Sequence, residues 1–402
     1  MSATAPLKIL LGTDFYHPHI GGIETHVAAL AKAFTDMGHE VVVAAPGQSL
    51  FGRQTDIDPD AHCKVWRVGS SLIFGFSSNL RVSWRPRHDL KPFLAQWQPD
   101  VIHVNNHFGI GRALVEYGRA HDIPVVAVNH TMPEAFIWWA MGYNQANWRY
   151  RFLKDRYWKW VFSAYNQASI VTGPTHMAID ELVKLGLKPK ALAVSNGVDI
   201  VANIPATKPK PELRAQLGLP ERPTILYLGR VDGQKRVDIL VKALPEVAKT
   251  IDVQLVIVGP GDQTTALPAL AKKLGVGDRV ILKAPVYDPK LKTTYYQAAD
   301  LFGIASPIES QSIVTLEAIA CGLPIVATNT GALPELAKPG VNGELFELED
   351  ISEVTAKLIK VLQSAELRQA YGIQSRKLAE QHDIRHLPQN FLNLYQEIMR
   401  PR

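Results

Sequence analysis

The sequence has little cysteine: Cys63 and Cys321 are the only two in 402 residues. A disulfide framework is thereby excluded as the basis of the fold, and a reducing, cytoplasmic setting is the expectation. No apolar run reaches the ~18 residues of a membrane-crossing helix, so any membrane contact is expected to be peripheral, on the cytoplasmic face. The opening MSATAPLKILLGTDFY lacks a basic stretch ahead of a cleavable apolar one, and LKILLGT reads instead as a first buried strand. No cluster of His, Cys, Asp and Glu has metal-ligand spacing, no internal repeat appears, and no G-x-G-x-x-G stands complete. IVGPGD supplies Gly259 and Gly261 without the third glycine or the immediate helix entry, which weighs against a nicotinamide-dependent oxidoreductase. Charge of one sign is not in large excess either. The formal net charge of +5 suits an anionic ligand or surface without singling out nucleic acid, and no nucleic-acid partner is expected.

What is present is a repeated alternation of short apolar runs with helical periods. KILLGT, EVVVAAP, KVWRV, VIHVN, VVAVNHT and SIVTGPT read as buried strands, with amphipathic stretches such as THVAALAKAFTDMG between them. After the Pro- and Lys-rich IPATKPKPELRAQLG the pattern restarts with TILYLGR, VQLVIVG, VILKAP, LFGIAS and PIVAT. Buried strands joined by crossover helices make parallel sheets covered on both faces. The expected architecture is α/β: one doubly wound domain over residues 1–195, a second over 196–384, and a closing helix over 385–402 that returns to the first. Ligands of such sheets bind beyond the carboxyl ends of the strands, here in a cleft between the domains.

Within the second half, ESQSIVTLE sets Glu309 and Glu317 on either side of a predicted helix start, just after the strand LFGIAS. A phosphate can bind such a helix end while the acids accept sugar hydroxyls. Taken alone, the pair reads more readily as a helix cap and a solvated acid. YLGRVDGQKRVDIL ends a strand at Gly229 and Arg230 and places Lys235 near the next helix start. A guanidinium and an ammonium there suit a diphosphate leaving group. GTDFYHPHIGGIETHV puts Gly21 and Gly22 in the loop after the first strand, where the backbone can approach phosphate closely. Of thirteen histidines, His103 and His130 stand at strand ends. A strand-end histidine is more often structural than catalytic.

The stretch ASPIESQSIVTLEAIACGLPIVATNTGALPELAKPGVNGELF resembles the signature of the retaining glycosyltransferase family 4, of the two-domain GT-B fold. Glu309 and Glu317 match its E-x7-E motif, and Arg230 with Lys235 its Gly-Arg…Glu-Lys motif, with Gln234 in place of the usual acid. The resemblance implies two Rossmann-like domains facing each other across a cleft. It implies that Glu309 contacts the transferred sugar, that Glu317 contacts the nucleotide ribose, and that Ser312 and Ile313 lie against the donor. Ser310, Gln311 and Ser312 replace the family's glycine-richer loop. Gly21 and Gly22 would lie near the diphosphate, His130 near the reaction centre, and VILKAPVYD near the base; Asn196 and Gly197 match a structural stretch between the domains.

The implied reaction moves a hexose from a UDP- or GDP-linked sugar to an acceptor hydroxyl with retention. Glu309, His130, Arg230 and Lys235 form the catalytic set, and the donor is a co-substrate with neither cofactor nor metal. Between residues 136 and 162 lie eleven aromatics, five of the eight tryptophans among them, and five Lys/Arg against one Asp. That composition suits an anionic membrane interface and a lipid acceptor such as diacylglycerol, and equally an aromatic wall of the acceptor site or a core helix with a solvated basic face. A soluble or polysaccharide acceptor and a non-catalytic membrane-associated protein stay open as alternatives.

Overall fold

Runs such as KILLG and EVVVAAP are apolar at nearly every position because both faces of their sheet are covered; all but the first residue of each is buried. The computed structural model describes residues 5–17, 22–49, 54–58, 62–72, 81–130 and 148–400. It divides into two units: Met1–Ser195 with Leu387–Arg402, and Asn196–His386.

The first unit runs β1 (Lys8–Gly12), α1 (Gly22–Asp36), β2 (Glu40–Pro46), β3 (Gln54–Ile57), β4 (Lys64–Val68), β5 (Ser70–Leu72), β6 (Arg81–Ser83), α2 (Pro86–Trp97), β7 (Val101–Val104), α3 (Gly109–Ala120), β8 (Val125–Val128), α4 (Trp148–Tyr165), β9 (Ile170–Gly173), α5 (His176–Lys184) and β10 (Lys190–Ala193). Its main sheet has the order β10-β9-β8-β7-β1-β2-β4-β3, parallel except for the edge pair β3 and β4. Strands β5 and β6 form a separate antiparallel pair.

The second unit runs α6 (Lys210–Gln216), β11 (Thr224–Leu228), α7 (Val237–Thr250), β12 (Gln254–Val258), α8 (Ala266–Lys273), β13 (Val280–Lys283), α9 (Pro289–Ala298), β14 (Leu301–Ile304), α10 (Ile313–Ala320), β15 (Ile325–Thr328), α11 (Leu333–Leu336), β16 (Gly343–Phe346), α12 (Ile351–Gln363) and α13 (Ala365–Glu380). Its sheet is wholly parallel, in the order β13-β12-β11-β14-β15-β16. In each unit the first strand stands in the middle of its sheet, and the chain builds outward on one side before crossing to the other. The crossing falls between β1 and β7 in the first unit and between β11 and β14 in the second. Loops leave these neighbouring strands in opposite directions, so a crevice opens at their carboxyl ends.

At the opposite end of the second sheet, buried Asp300 accepts from Arg214 Nη2 at 2.6 Å, Thr224 N at 2.7 Å and Lys210 Nζ at 2.9 Å. This ties α6 to the starts of both central strands. The last helix, α14 (Leu387–Met399), packs on the first unit through Phe391 and Tyr395, an i, i+4 pair on its buried face. Tyr395 Oη meets His103 Nδ1 at 2.5 Å, and Phe391 lies 4.5 Å from the His103 ring. His103 is therefore a core residue that anchors the returning helix. Cys63 and Cys321 are both buried and free.

Gly259 and Gly261 have a packing role. Gly259 adopts φ +145°, and a Cβ on it would fall 1.9 Å from the Gly229 carbonyl oxygen; one on Gly261 would fall 2.0 Å from that of Val231. The loop after β12 thus lies backbone to backbone against the loop after β11. Gly259→Ala combines a strained φ with a backbone collision, and a loss of about 2 kcal/mol or more in urea unfolding is expected. Wild-type stability in that variant would show that the contact is dispensable.

Candidate functional site

In the second unit, β11 ends at Leu228 and the chain turns at Gly229, whose φ of +149° a side chain would resist. Tyr227 Oη donates to the Arg230 carbonyl at 2.6 Å and fixes the turn. Asp232 then caps a single 3-10 turn, Gly233–Lys235, by accepting from Gln234 N and Lys235 N. That turn delivers Lys235 to the crevice, where its Nζ lies 2.7 Å from Glu309 Oε1. The two side chains are only 16% and 11% exposed, so this ion pair is held largely out of water. Arg230 is more open, at 52%. Its Nη1 pairs with Asp232 at 2.6 Å and its Nη2 donates to Gln234 Oε1 at 2.9 Å.

Glu309 belongs to the loop after β14, the strand beside β11. Its backbone is pinned by a second loop: Ala332 N donates to the Glu309 carbonyl at 3.0 Å, and Gly331, at φ +55°, leaves room for that carbonyl, 2.8 Å from where a Cβ would stand. Ser312 is the N-terminal flank of α10, buried, with its hydroxyl accepting from Thr315 Oγ1 at 2.8 Å. Ile313 opens the helix. The Ile313 and Val314 amides have no acceptor among the described residues and carry the partial positive charge of a helix start. Glu317, one turn further, is buried and held by α9: Tyr296 Oη donates to it at 2.9 Å, and Lys292 Nζ pairs with its other oxygen. Burial and the Glu317 charge push the Tyr296 phenol well above its usual range. Arg230, Lys235, Glu309, Ser312, Ile313 and Glu317 thus surround the switch point of one sheet.

The first-unit candidates fare differently. Gly21 lies outside the described residues, and Gly22 is the first residue of α1. His130 follows β8, its ring 4.9 Å from that of His26 on α1. With His103 these form a histidine cluster in which His26 and His103 are buried and His130 is half-buried. Burial lowers His26 to about 4 and His103 to about 3; burial first, then the neighbouring His26 and His103, holds His130 well below the ordinary histidine value. All three are neutral at pH 7. Asn196 N donates to Gln311 Oε1 at 2.8 Å, and Gly197, at φ +80°, lets the chain pass Ile384, whose Cα lies 2.7 Å from a would-be Cβ.

Several residues emerge only from the fold. Asp14, after β1, accepts from the amides of Ile110 at 2.9 Å and Gly111 at 3.3 Å at the start of α3, and burial pushes its carboxyl up to about 6. Lys292 and Tyr296 occupy an i, i+4 face of PKLKTTYYQA, a spacing visible in sequence whose meaning depends on Glu317 arriving from another helix. Asp232 follows Arg230 by two residues and had no signal beyond that proximity.

Two Rossmann-like units, with a cation and carboxylate set at the switch point of the second, define a glycosyltransferase of the GT-B class. The family model described as Glycosyltransferase Family 4 matches residues 20–201, and that described as Glycosyl transferases group 1 matches 209–378. The chain belongs to glycosyltransferase family 4. It is 26% identical to the alpha-monoglucosyldiacylglycerol synthase of Streptococcus pneumoniae, covering 85% of this chain and 75% of that one. It is 25% identical to the phosphatidyl-myo-inositol mannosyltransferase of Mycolicibacterium smegmatis, over 94% and 90% of the two chains. In fold it resembles the Anabaena HepE protein solved with UDP, with a TM-score of 0.77 at 20% identity over 97% of this chain and all of that one.

The histidine cluster makes stability depend on pH. His26, His103, His130 and also His107, lowered to about 3 by burial and then by Arg112, all have folded pKa values below 6.5. The unfolded chain takes up protons on them as pH falls below 6.5, and the folded chain resists until about 4 and below. Each therefore removes up to about 1.4 kcal/mol per pH unit across that window. Asp14, with its raised folded value, opposes them by one proton between about 6 and the ordinary carboxylate range. The net expectation is a urea midpoint that falls steadily from pH 6.5 to 4, with a shallower fall in His103→Asn; identical slopes would show that His103 carries none of it.

Proposed function

We propose that this enzyme transfers a hexose from a nucleoside diphosphate sugar, UDP- or GDP-linked, to an acceptor hydroxyl with retention of the anomeric configuration. The observation that carries this reading is the 2.7 Å pair between Lys235 and Glu309 across the strand-order reversal of the second unit. An ammonium held there by a carboxylate is preset to meet a diphosphate, and Arg230 adds a second cation on the same loop. As the glycosidic bond breaks, charge develops on the leaving phosphate, and two fixed cations stabilise it without reorganisation. Glu309, once its partner turns to phosphate, accepts a hydroxyl of the sugar. The open amides of Ile313 and Val314 offer further donors to phosphate oxygens, and Glu317 is placed to accept ribose hydroxyls.

The departing phosphate takes the acceptor's proton on the face from which it leaves, which accounts for retention. Lys235 and Arg230 supply the positive charge that the leaving group requires, so the scheme needs no metal or cofactor. His130, neutral at pH 7, can exchange hydrogen bonds with the sugar without adding charge.

For the acceptor we infer a lipid, as the names of two relatives suggest for those proteins. Residues 136–147 of the aromatic segment lie outside the described residues, but α4 covers the remainder. Its inward side is core: Tyr150, Trp158 and Phe162 are buried. Its outward side leaves Trp148 65%, Phe152 54% and Trp160 40% exposed, with Arg149 over Trp148 and Arg156 over Phe152. Exposed rings interleaved with guanidinium groups suit the headgroup layer of an anionic membrane.

Glu309→Ala is expected to lower turnover about 10- to 150-fold, the value of a charge-assisted bond that tightens in the transition state; an unchanged rate removes its role. Lys235→Ala should weaken nucleoside diphosphate binding about tenfold or more by calorimetry, and native affinity would remove the diphosphate assignment. Replacing Trp148 and Phe152 together by Ala should weaken co-sedimentation with phosphatidylglycerol vesicles by about tenfold or more. Wild-type sedimentation would return the acceptor to a soluble or polysaccharide substrate.

A further inference from the structure

The first unit has a switch point of its own, between β1 and β7, and a pocket of about 360 Å³ opens where α2 and α3 begin beside it. Its walls include Ser83, Trp84, Arg85, Arg87, Gly109 and Arg112. We propose that this pocket binds the phosphate of a phosphate ester, and that this ester is the acceptor or part of it. The proposal rests on the transferase reading only for the word acceptor.

Ser83 is the independent observation. It is 5% exposed, yet its hydroxyl has no hydrogen-bond partner among the described residues. A buried hydroxyl left unmet costs free energy that a ligand oxygen would recover. Gly109 brings the start of α3 against this residue, since a Cβ on it would lie 3.1 Å from the Ser83 carbonyl oxygen. Beside it α2 begins with Pro86, which has no N–H, and the Arg87 amide has no acceptor among the described residues.

Charge points the same way. Arg87 Nε and Arg112 Nε share one carboxylate, Glu116, at 2.6 and 3.2 Å, and Arg85 makes no ion pair among the described residues. Three guanidinium groups face one acid. Asp89, which contacts His88 at 3.0 Å, adds a second carboxylate at the start of α2, and the three guanidinium groups still outnumber the acids. Arg112 is further fixed by the Trp160 carbonyl at 3.2 Å and Ser163 Oγ at 2.7 Å, so it is positioned before any ligand arrives. Trp84, 65% exposed, is steadied by its Nε1 donating to Ser71 Oγ at 2.6 Å, and offers a flat apolar wall to the carbon skeleton of a glycerol or other polyol. A hydroxyl, an open amide and surplus guanidinium charge are donors without acceptors, which is what phosphate oxygens supply.

The test uses the full chain and measures binding, not turnover, so it can fail while the transferase reading stands. Glycerol 3-phosphate is titrated by calorimetry, and vesicles of phosphatidylcholine with phosphatidic acid are tested by co-sedimentation; the first arm reports a soluble ester and the second a lipid headgroup. Arg85→Gln and Ser83→Ala should each weaken binding about tenfold in at least one arm. Ser83→Ala should do so with no loss of thermal stability, because the hydroxyl it removes is unbonded. Arg119→Gln, the same charge change at the far end of α3, should leave both arms unchanged. The proposal is overturned if neither variant weakens either arm, if Arg119→Gln weakens binding equally, or if binding survives Arg85→Gln but vanishes when Arg230 and Lys235 are replaced by Ala.

Discussion

The second unit depends on the reversal of strand order beside β11. Because β12 and β14 flank it on opposite sides, the loops after β11 and β14 must part, and a gap opens at the carboxyl ends. The Lys235–Glu309 pair spans that gap. Its partners are 74 residues apart in sequence, and each is held by short-range geometry on its own side: the Asp232-capped turn under Lys235, and the Gly331 loop under Glu309. The pair is thus a consequence of topology as much as of the residues themselves. The opposite end of the same strands is closed by Asp300 with Arg214 and Lys210, so the sheet is rigid at one end and chemically open at the other.

The first unit follows the same geometry with different chemistry. At its reversal Asp14 occupies the first amides of α3, so that helix start is already satisfied internally. The opening for a ligand lies one element over, at the start of α2 and the buried hydroxyl of Ser83. Behind the sheet, His103 serves the fold by gripping Tyr395 of the returning helix. A neutral imidazole suits that task because burial has removed its proton, and the same burial makes the cluster of His26, His103 and His130 sensitive to acid.

The buried parallel strands were legible because continuous apolar runs leave no other reading. What stayed hidden were β3, β5, β6, β10 and β16, all short: β10 is KALA at a sheet edge and β16 carries a buried glutamate, Glu344. Polar residues on an edge or in a brief strand erase the apolar run on which detection depends. The site was legible in the same uneven way. Spacing alone could not distinguish Glu309 and Glu317 from a cap and a solvated acid; the fold pairs Glu309 with Lys235 and buries Glu317 against Tyr296 and Lys292. Lys292 and Tyr296 had no motif to mark them, and the packing role of Gly259 and Gly261, where two loops touch, shows only once the strands they follow are brought side by side. The aromatic segment carried several readings at once because α4, which holds its described part, has one packed side and one exposed side.

Gln234 shows how a departure from the family pattern alters the site. Arg230 touches two groups, Asp232 and Gln234, and only the first is charged. With an acid at 234, two carboxylates would compete for one guanidinium. With glutamine, Arg230 balances Asp232 and Lys235 balances Glu309, and the amide holds the guanidinium plane without adding negative charge. With each cation paired to one carboxylate, the loop is near neutrality. In the proposed reaction, an entering diphosphate would meet no surplus carboxylate, while both cations stay on short, well-braced turns where little side-chain freedom would be lost on exchanging one anionic partner for another.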